Sequence, residues 1–592
     1  MVGFLRWLRS IAVGTLNGIA RFVFLIVVIL LALFVIGLAA GDGLPNKMVL
    51  ALDLRRPIAD SSPARFNFGT RPVTVMDIVL GLDAAEHDDR IKGVLVRLGS
   101  ANISIAQAEE IGTALKKFRQ SGKFVIAHAQ GFEAPGLGDY LTATAADQIW
   151  MQPKTPFGAA GEGGGEIFLK GLFDKIQAEP QIAKRADYKS AADMYMEKSM
   201  TPADREQLTE LMQSWYDTAT TGAAAARKLD PKALAAVFDA SPQFTEDAKK
   251  AGLIDKIGYD DDAQQAALDK AGDGAKTVQM AEFVKAKEDL REVGTGQRIA
   301  LVEGSGEIVE GSTGGGGLFG GEAVMAGDDV AKALREAAKD KSVKAIVLRI
   351  DTPGGSVTAS DQILDAVKKA QAKGIPVVVS MAGVAASGGY YISTSADKIV
   401  AEPGTITGSI GVLTGKVSFG KTAQLLGIGT DQVGVGRNAL MDSSITPYTP
   451  EQWANLNAQA DAIYGDFKDK VAKGRKLTPE RVQEIARGRV WSGSDARERG
   501  LVDNLGGFWT AADTARKLAK IGAGDSVVYK RFPHQKSFWE ALDATFGDGS
   551  AGVRAMQGWV TLMNSPAVRA VIGVSGELPR GGVEMRASNL PH

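Results

Sequence analysis

A chain of 592 residues exceeds what one hydrophobic core usually serves, and one domain per ~150 residues allows two to four. A formal net charge of −1, with no basic run longer than a few residues, gives no support to the electrostatic footprint of a nucleic-acid binder. The absence of cysteine excludes disulfides, thiolate metal sites and a cysteine nucleophile.

The first predicted element is an uncharged apolar run over residues 22–40, long enough at ~20 residues to cross a bilayer and too long for the core of a cleaved signal. Arg6, Arg9 and Arg21 precede it and Asp42 follows, so the positive-inside rule keeps the N-terminus cytoplasmic and everything from about Asn46 outside the cytoplasm. Next come short apolar strand patterns, Val49 to Leu52 and later Ile299 to Leu301 and Val302. Each opens an alternation of strands and helical stretches, which predicts parallel α/β units. In the second half the pattern predicts a helix around Ala331 to Leu334 and a strand at Ala345 to Leu348. A helix from Ala359 to Ala372 and a strand from Val377 to Ser380 follow. The Thr-Pro pairs at Thr201 and Thr449 predict long helices that start with proline in the first turn. Gly304 to Gly321 is glycine-rich without the Lys-Ser or Lys-Thr of a phosphate cradle, and reads as a mobile loop near a cleft or as a plain surface loop. Beyond about Asp525 the tail has no visible partner in the first half, and Trp559 to Val571 reads as a membrane-surface helix, a packing helix or a disordered end.

The two halves are copies. Asp89 to Leu98 reappears as Lys341 to Ile350 at a shift of 350 − 98 = 252, and Asp147 falls on Asp397 at 397 − 147 = 250. Arg227 falls on Arg475 at 475 − 227 = 248, so short deletions have accumulated in the loops of the second copy. In this register Leu137 stands opposite Ser387, Arg437 opposite Lys189 and Ala159 opposite Ser409. A serine on one copy and a lysine on the other, each absent from its counterpart, is the pattern of a duplicated hydrolase whose halves have divided one active site.

The chemistry follows from what each residue type can do. None of the four histidines (His87, His128, His534, His592) lies near the serine motif in the repeat register, so a Ser-His-Asp triad is not supported, and His128 reads as a satisfied strand residue. Ser387, in Ala385-Ala386-Ser387-Gly388-Gly389-Tyr390, is read after a short turn at a helix start. There serine is an ordinary N-cap, or a nucleophile beside the Gly388 amide. The Asp351-Thr352-Pro353-Gly354-Gly355-Ser356 turn offers Gly354 and Gly355 as further amide donors, and the first copy lacks that glycine pair. Lys189 alone would read as a surface lysine. Its pairing with an arginine changes that, because arginine stays protonated whereas a lysine desolvated by ~2–3 pK units from about 10.4 becomes a base near neutrality. Ser409, in Thr407-Gly408-Ser409-Ile410-Gly411, reads as a hydroxyl that orients the lysine or as a turn serine.

On these motifs, over roughly residues 20–525, the chain resembles the signal peptide peptidase A family (protease IV, long tandem type). The resemblance implies Ser387 as nucleophile, Lys189 as general base, Ser409 as the assisting hydroxyl, and an oxyanion hole from Gly388 with Gly354 or Gly355, without cofactor or metal. It also implies two tandem ClpP/crotonase-like α/β domains preceded by a transmembrane helix, in an inner-membrane homotetramer with periplasmic catalytic domains that degrades cleaved signal peptides and other apolar peptides. The expected boundaries are 1–45 for the anchor, 46–295 and 296–525 for the two domains, and 526–592 for the tail. A crotonase-like acyl-CoA enzyme and a non-catalytic membrane scaffold with a vestigial site are the competing readings. An extracytoplasmic location disfavours the first of these, because CoA is cytoplasmic.

Overall fold

The computed structural model describes residues 42–61, 72–99, 101–133, 136–288, 296–312, 324–533 and 584–586. The apolar span 22–40, residues 313–321 of the glycine-rich stretch and the stretch 559–571 lie outside them. The start of that glycine-rich stretch, read as loop, is strand at Gly304 and Ser305 and at Glu307–Val309, because these residues pair with neighbouring strands. Among the described residues no helix is long and apolar enough to cross a membrane.

In the first copy, strands β1 (Met48–Asp53), β2 (Ile91–Leu98), β3 (Phe124–Ala129) and β4 (Gln148–Met151) form a parallel sheet. Strand β5 (Glu179–Arg185) leaves this sheet, while β6 (Lys256–Ile257) and β7 (Lys276–Gln279) complete it in the order β6-β4-β3-β2-β1-β7. Nearly every residue of β1 to β3 is buried, which is why these strands read as continuous apolar runs rather than alternating ones. Helices α1 (Ile105–Gln120) and α2 (Leu137–Ala143) follow β2 and β3. The long α3 (Pro202–Arg227) starts at Thr201, whose side chain caps it, with Pro202 in the first turn as expected.

The second copy repeats the plan. Strands β8 (Gln297–Ser305), β9 (Glu307–Val309), β10 (Val343–Thr352), β11 (Gly354–Ser356) and β12 (Val377–Ala386) are followed by β13 (Lys398–Ala401), β14 (Ile406–Gly408) and β15 (Val412–Ser418). Then come β16 (Val490–Ser492), β17 (Asn504–Leu505) and β18 (Val527–Phe532). Its helices include α4 (Val357–Gln371), α5 (Gly388–Ser393), α6 (Pro450–Arg475) and α7 (Phe508–Leu518). The run β18-β8-β10-β12-β13-β17 matches β7-β1-β2-β3-β4-β6 strand for strand. Residues 527–532 therefore do have a counterpart in the first copy: β18 pairs in parallel with β8 as β7 pairs with β1, so the stretch read as tail contributes an edge strand.

One expected element is corrected. The strand read as ending at Ser380 runs on to Ala386, because Val384, Ala385 and Ala386 pair with Ile406, Thr407 and Gly408 of β14. Gly383 looks like a turn in sequence, yet pairing with a neighbour remote in the chain keeps the backbone extended, and no turn separates β12 from Ser387.

The copies share one core. Leu50, Val96 and Leu98 of the first sheet belong to the same buried cluster as Leu301, Val347 and Val378 of the second. Across this boundary the buried Arg349 guanidinium donates to Asp60 at 2.6 Å and to Glu110 at 2.8 Å. A buried arginine needs such paired acceptors, since an uncompensated internal charge costs several kcal/mol, roughly 3–5. The second tie is a strand exchange, in which β5 of the first copy pairs antiparallel with β15 of the second, Arg185 opposite Val412 through Glu179 opposite Ser418. A short strand near the C-terminus, β19 (Glu584–Arg586), runs antiparallel to the glycine strand β11 and meets Leu413 of β15.

Candidate active site

The exchanged strand β5 carries the lysine. Four residues past its end, Lys189 lies in an irregular segment just ahead of a single helical turn, with its side chain fully buried. Its Nζ stands 2.8 Å from Ser387 Oγ, 3.0 Å from Ser409 Oγ and 3.3 Å from Ser409 O. No carboxylate is among these contacts. Burial alone drives the Lys189 amine well below the ordinary lysine range. A neutral amine suits the three partners, because its lone pair accepts from the Ser387 hydroxyl while its two N–H groups face Ser409.

Both serines sit on strained corners. Ser387 has φ 54° and ψ −112° at the junction of β12 and α5, and Ser409 has φ 49°. Non-glycine residues in such conformations store about 1–3 kcal/mol and persist only where the surroundings hold them. Here the Ser387 amide donates to Gly408 O at 2.9 Å and the Ser409 amide to Arg489 O at 2.7 Å. The corner turns the Ser387 hydroxyl toward the lysine and starts α5 at Gly388. The first-turn amides of a helix lack intrahelical partners and are available to an anion. Gly354 lies against Gly388, since a Cβ on Gly388 would come within 3.3 Å of its Cα. The Gly354 amide already donates to Thr352 Oγ1 at 3.1 Å. Ser387, Lys189 and Ser409, with Gly388 and Gly354 beside Ser387, thus lie in one buried cluster at the seam between the copies.

In the first copy the left-handed corner falls on Gly136, φ 60°, one residue ahead of Leu137, and neither residue carries a hydroxyl. Arg437, opposite Lys189 in sequence register, is exposed in a loop and reaches Glu451 at 3.2 Å. Residues 427–433, opposite β5 at the shift of 248, form no strand. His128 lies in β3, where its Nε2 is 3.2 Å from Gly258 O, and it is a satisfied strand residue.

Two glycines that sequence reasoning passed over make room for the lysine. A Cβ on Gly488, φ +79°, would stand 2.6 Å from Lys189 Cβ and 2.7 Å from its backbone nitrogen. One on Gly411 would meet Arg185 O at 2.2 Å and Lys189 Cδ at 3.2 Å. Gly411 closes the Thr407–Gly411 stretch quoted for Ser409, but the crowding against Lys189 at both glycines is visible only in the fold. The segment is also clamped from outside, where Arg489 and Arg487 of the second copy lie over the Tyr188 ring at 4.7 and 5.0 Å.

A buried serine in contact with a buried lysine, on a duplicated parallel α/β scaffold, is an arrangement in which a neutral amine could activate a hydroxyl for attack. Comparison with known proteins narrows this. The profile of peptidase family S49 matches residues 117–273 and 369–522, once in each copy, and that of Clp protease matches 323–404. "Protease 4" of Salmonella typhi is 31% identical over 632 aligned residues, covering 100% of this chain and 97% of that one. "Serine protease SPPA, chloroplastic" of Arabidopsis thaliana is 30% identical over 86% of this chain and 75% of its own. "Protease 4" of Haemophilus influenzae is 31% identical over 76% of this chain and 73% of its own. The chain belongs to peptidase family S49 and is a serine protease of the tandem-domain kind.

Proposed function

We propose that the protein is a membrane-anchored endopeptidase with a Ser387–Lys189 dyad that degrades cleaved signal peptides and other apolar peptides. The observation that carries the dyad is the 2.8 Å contact between Lys189 Nζ and Ser387 Oγ, both fully buried, with no carboxylate to hold the amine charged. Neutral Lys189 takes the Ser387 proton as Oγ attacks a peptide carbonyl. The oxyanion faces the Gly388 amide together with Gly354 or Gly355. Lys189 then returns the proton to the departing amine. A water, deprotonated by the same amine, cleaves the acyl-enzyme and restores the hydroxyl. Ser409 holds the amine in line through its Oγ and carbonyl.

An extended substrate is supported by the glycine strand β11, along which the backbone of Glu584–Arg586 runs antiparallel. Peptides bind proteases by such strand addition, with main-chain hydrogen bonds supplying affinity. Anchoring through residues 22–40, with the domains on the far side of the inner membrane and association into a tetramer, rests on the sequence pattern and the family resemblance.

Ser387→Ala and Lys189→Ala should each abolish peptide hydrolysis in a folded protein, and the double variant should be no worse, because the pair acts as a unit. A serine-directed acylating probe should label the parent at Ser387. An active Lys189→Ala enzyme removes the base assignment. For the topology, protease added to intact spheroplasts should digest both domains, and protection until lysis refutes the orientation.

A further inference from the structure

We propose that Gln207, on the long helix α3, is a positioning residue that sets the general base and the nucleophile in register across the seam. The inference rests on the reading of Lys189 as the base.

Lys189 has no regular element beneath it, since β5 ends at Arg185 and the helical turn begins at Ser190. Its backbone must be held from outside. Gln207 is 1% exposed, and its Nε2 lies 3.1 Å from Tyr188 O and 3.1 Å from Ser190 Oγ, the residues on either side of the lysine. The same nitrogen is 2.9 Å from Asp204 Oδ1. An amide has two N–H groups, so these acceptors share them, and a reversed amide would set its oxygen against a carbonyl and a carboxyl oxygen. The orientation is therefore decided, and it points Gln207 Oε1 at the second copy, where it accepts from the Val490 amide at 3.2 Å.

That last bond reaches the serine. Val490 begins β16 and pairs with Gly408 of β14, and Gly408 O receives the Ser387 amide at 2.9 Å. One buried side chain thus links the segment carrying the lysine to the strand that holds the serine's strained corner. In the second copy the equivalent position on α6, at 207 + 248 = 455, is Asn455, which is exposed. The glutamine is turned inward in the copy that carries the base.

The test uses the full-length enzyme and the near-isosteric Gln207→Met, which keeps packing and loses every hydrogen bond, beside the polar but shorter Gln207→Asn. Each is measured for kcat, KM, melting temperature and the pH profile of kcat/KM. A displaced amine in wetter surroundings predicts a fall of about 10- to 100-fold, carried by kcat with KM within about twofold. It also predicts that the rising limb of kcat/KM moves to higher pH, toward ordinary lysine. A purely structural glutamine would lower the melting temperature and leave both the limb and the kcat of the folded fraction unchanged, and that result, in either variant that folds, overturns the proposal. Lys189→Ala separates the two readings. If it retains activity, the base assignment itself fails; if it is inactive while Gln207→Met behaves as the parent, only the positioning role fails.

Discussion

Replacing Lys189 by methionine tests whether the amine is neutral in the folded protein. The side chain is completely buried and its contacts are two hydroxyls and a carbonyl. A lysine whose folded pKa is depressed holds the folded state back by about 1.36 kcal/mol per unit of depression, in full below the folded value and fading as pH rises to ~10.4. Methionine removes that penalty and matches the length, at the expense of groups left without the amine, each worth about 1–3 kcal/mol where no other partner is found. With the penalty on the buried amine removed, the variant should be inactive and at least as stable as the parent at neutral pH. The sign of the pH dependence is the sharper test. Because the folded pKa is depressed, the unfolded state binds the extra proton. Parent stability should therefore rise by about 1.4 kcal/mol per pH unit between the depressed folded value and ~10.4. The methionine variant lacks this rise, so its advantage must shrink with increasing pH. Chemical denaturation of both proteins from pH 7 to 10 measures the difference. A difference that stays constant across this range, or a methionine variant clearly less stable at pH 7, means that Lys189 is charged and paired, and the general-base mechanism is then wrong.

Other outcomes follow from the same geometry. The rate constant kcat/KM should rise with pH through the depressed Lys189 value, and a plateau already reached near ~6.5 would point to a histidine instead. Ser409→Ala should reduce kcat about tenfold, the ~1.4 kcal/mol expected of one hydrogen bond, and an enzyme as dead as Ser387→Ala would make Ser409 more than an orienting group. Gly488→Ala should lower kcat by about 10²-fold with the fold retained, since the added Cβ must push Lys189 aside, and an unimpaired enzyme would refute the crowding. At the seam, burial and the neighbouring Glu110 and Glu109 raise the Glu402 pKa well above the carboxylate range. Stability is therefore lost as pH rises from about 4.3 toward that raised value. Glu402→Gln should leave the melting temperature unchanged at pH 4 and raise it at pH 8, and a lower value at pH 8 would show that the charged carboxylate is needed.

Much of this protein could be read from local pattern, because the information is local. Continuous apolar runs mark parallel strands buried on both faces, and Val49 to Leu52 and Ala345 to Leu348 lie within β1 and β10. Thr-Pro marks a capped helix start, and α3 and α6 begin there. The duplication singled out Ser387, Lys189 and Ser409 without any contact being known, because a residue lost from one copy and kept in the other shows where the copies ceased to be equivalent. What no local pattern contained is where the seam runs. The extension of β12 through Gly383 to Ala386 depends on pairing with β14, and β5 becomes a strand because β15 of the other copy offers it an edge. Gly411 and Gly488 matter only because Lys189 passes beside them, and Gln207 only because α3 turns it toward Tyr188 and Val490. Burial of the lysine, the property on which the proposed base role rests, belongs to no segment of the chain. It arises where two copies close over one amine, whose hydrogen-bond partners are hydroxyls and a carbonyl, and burial lowers its pKa.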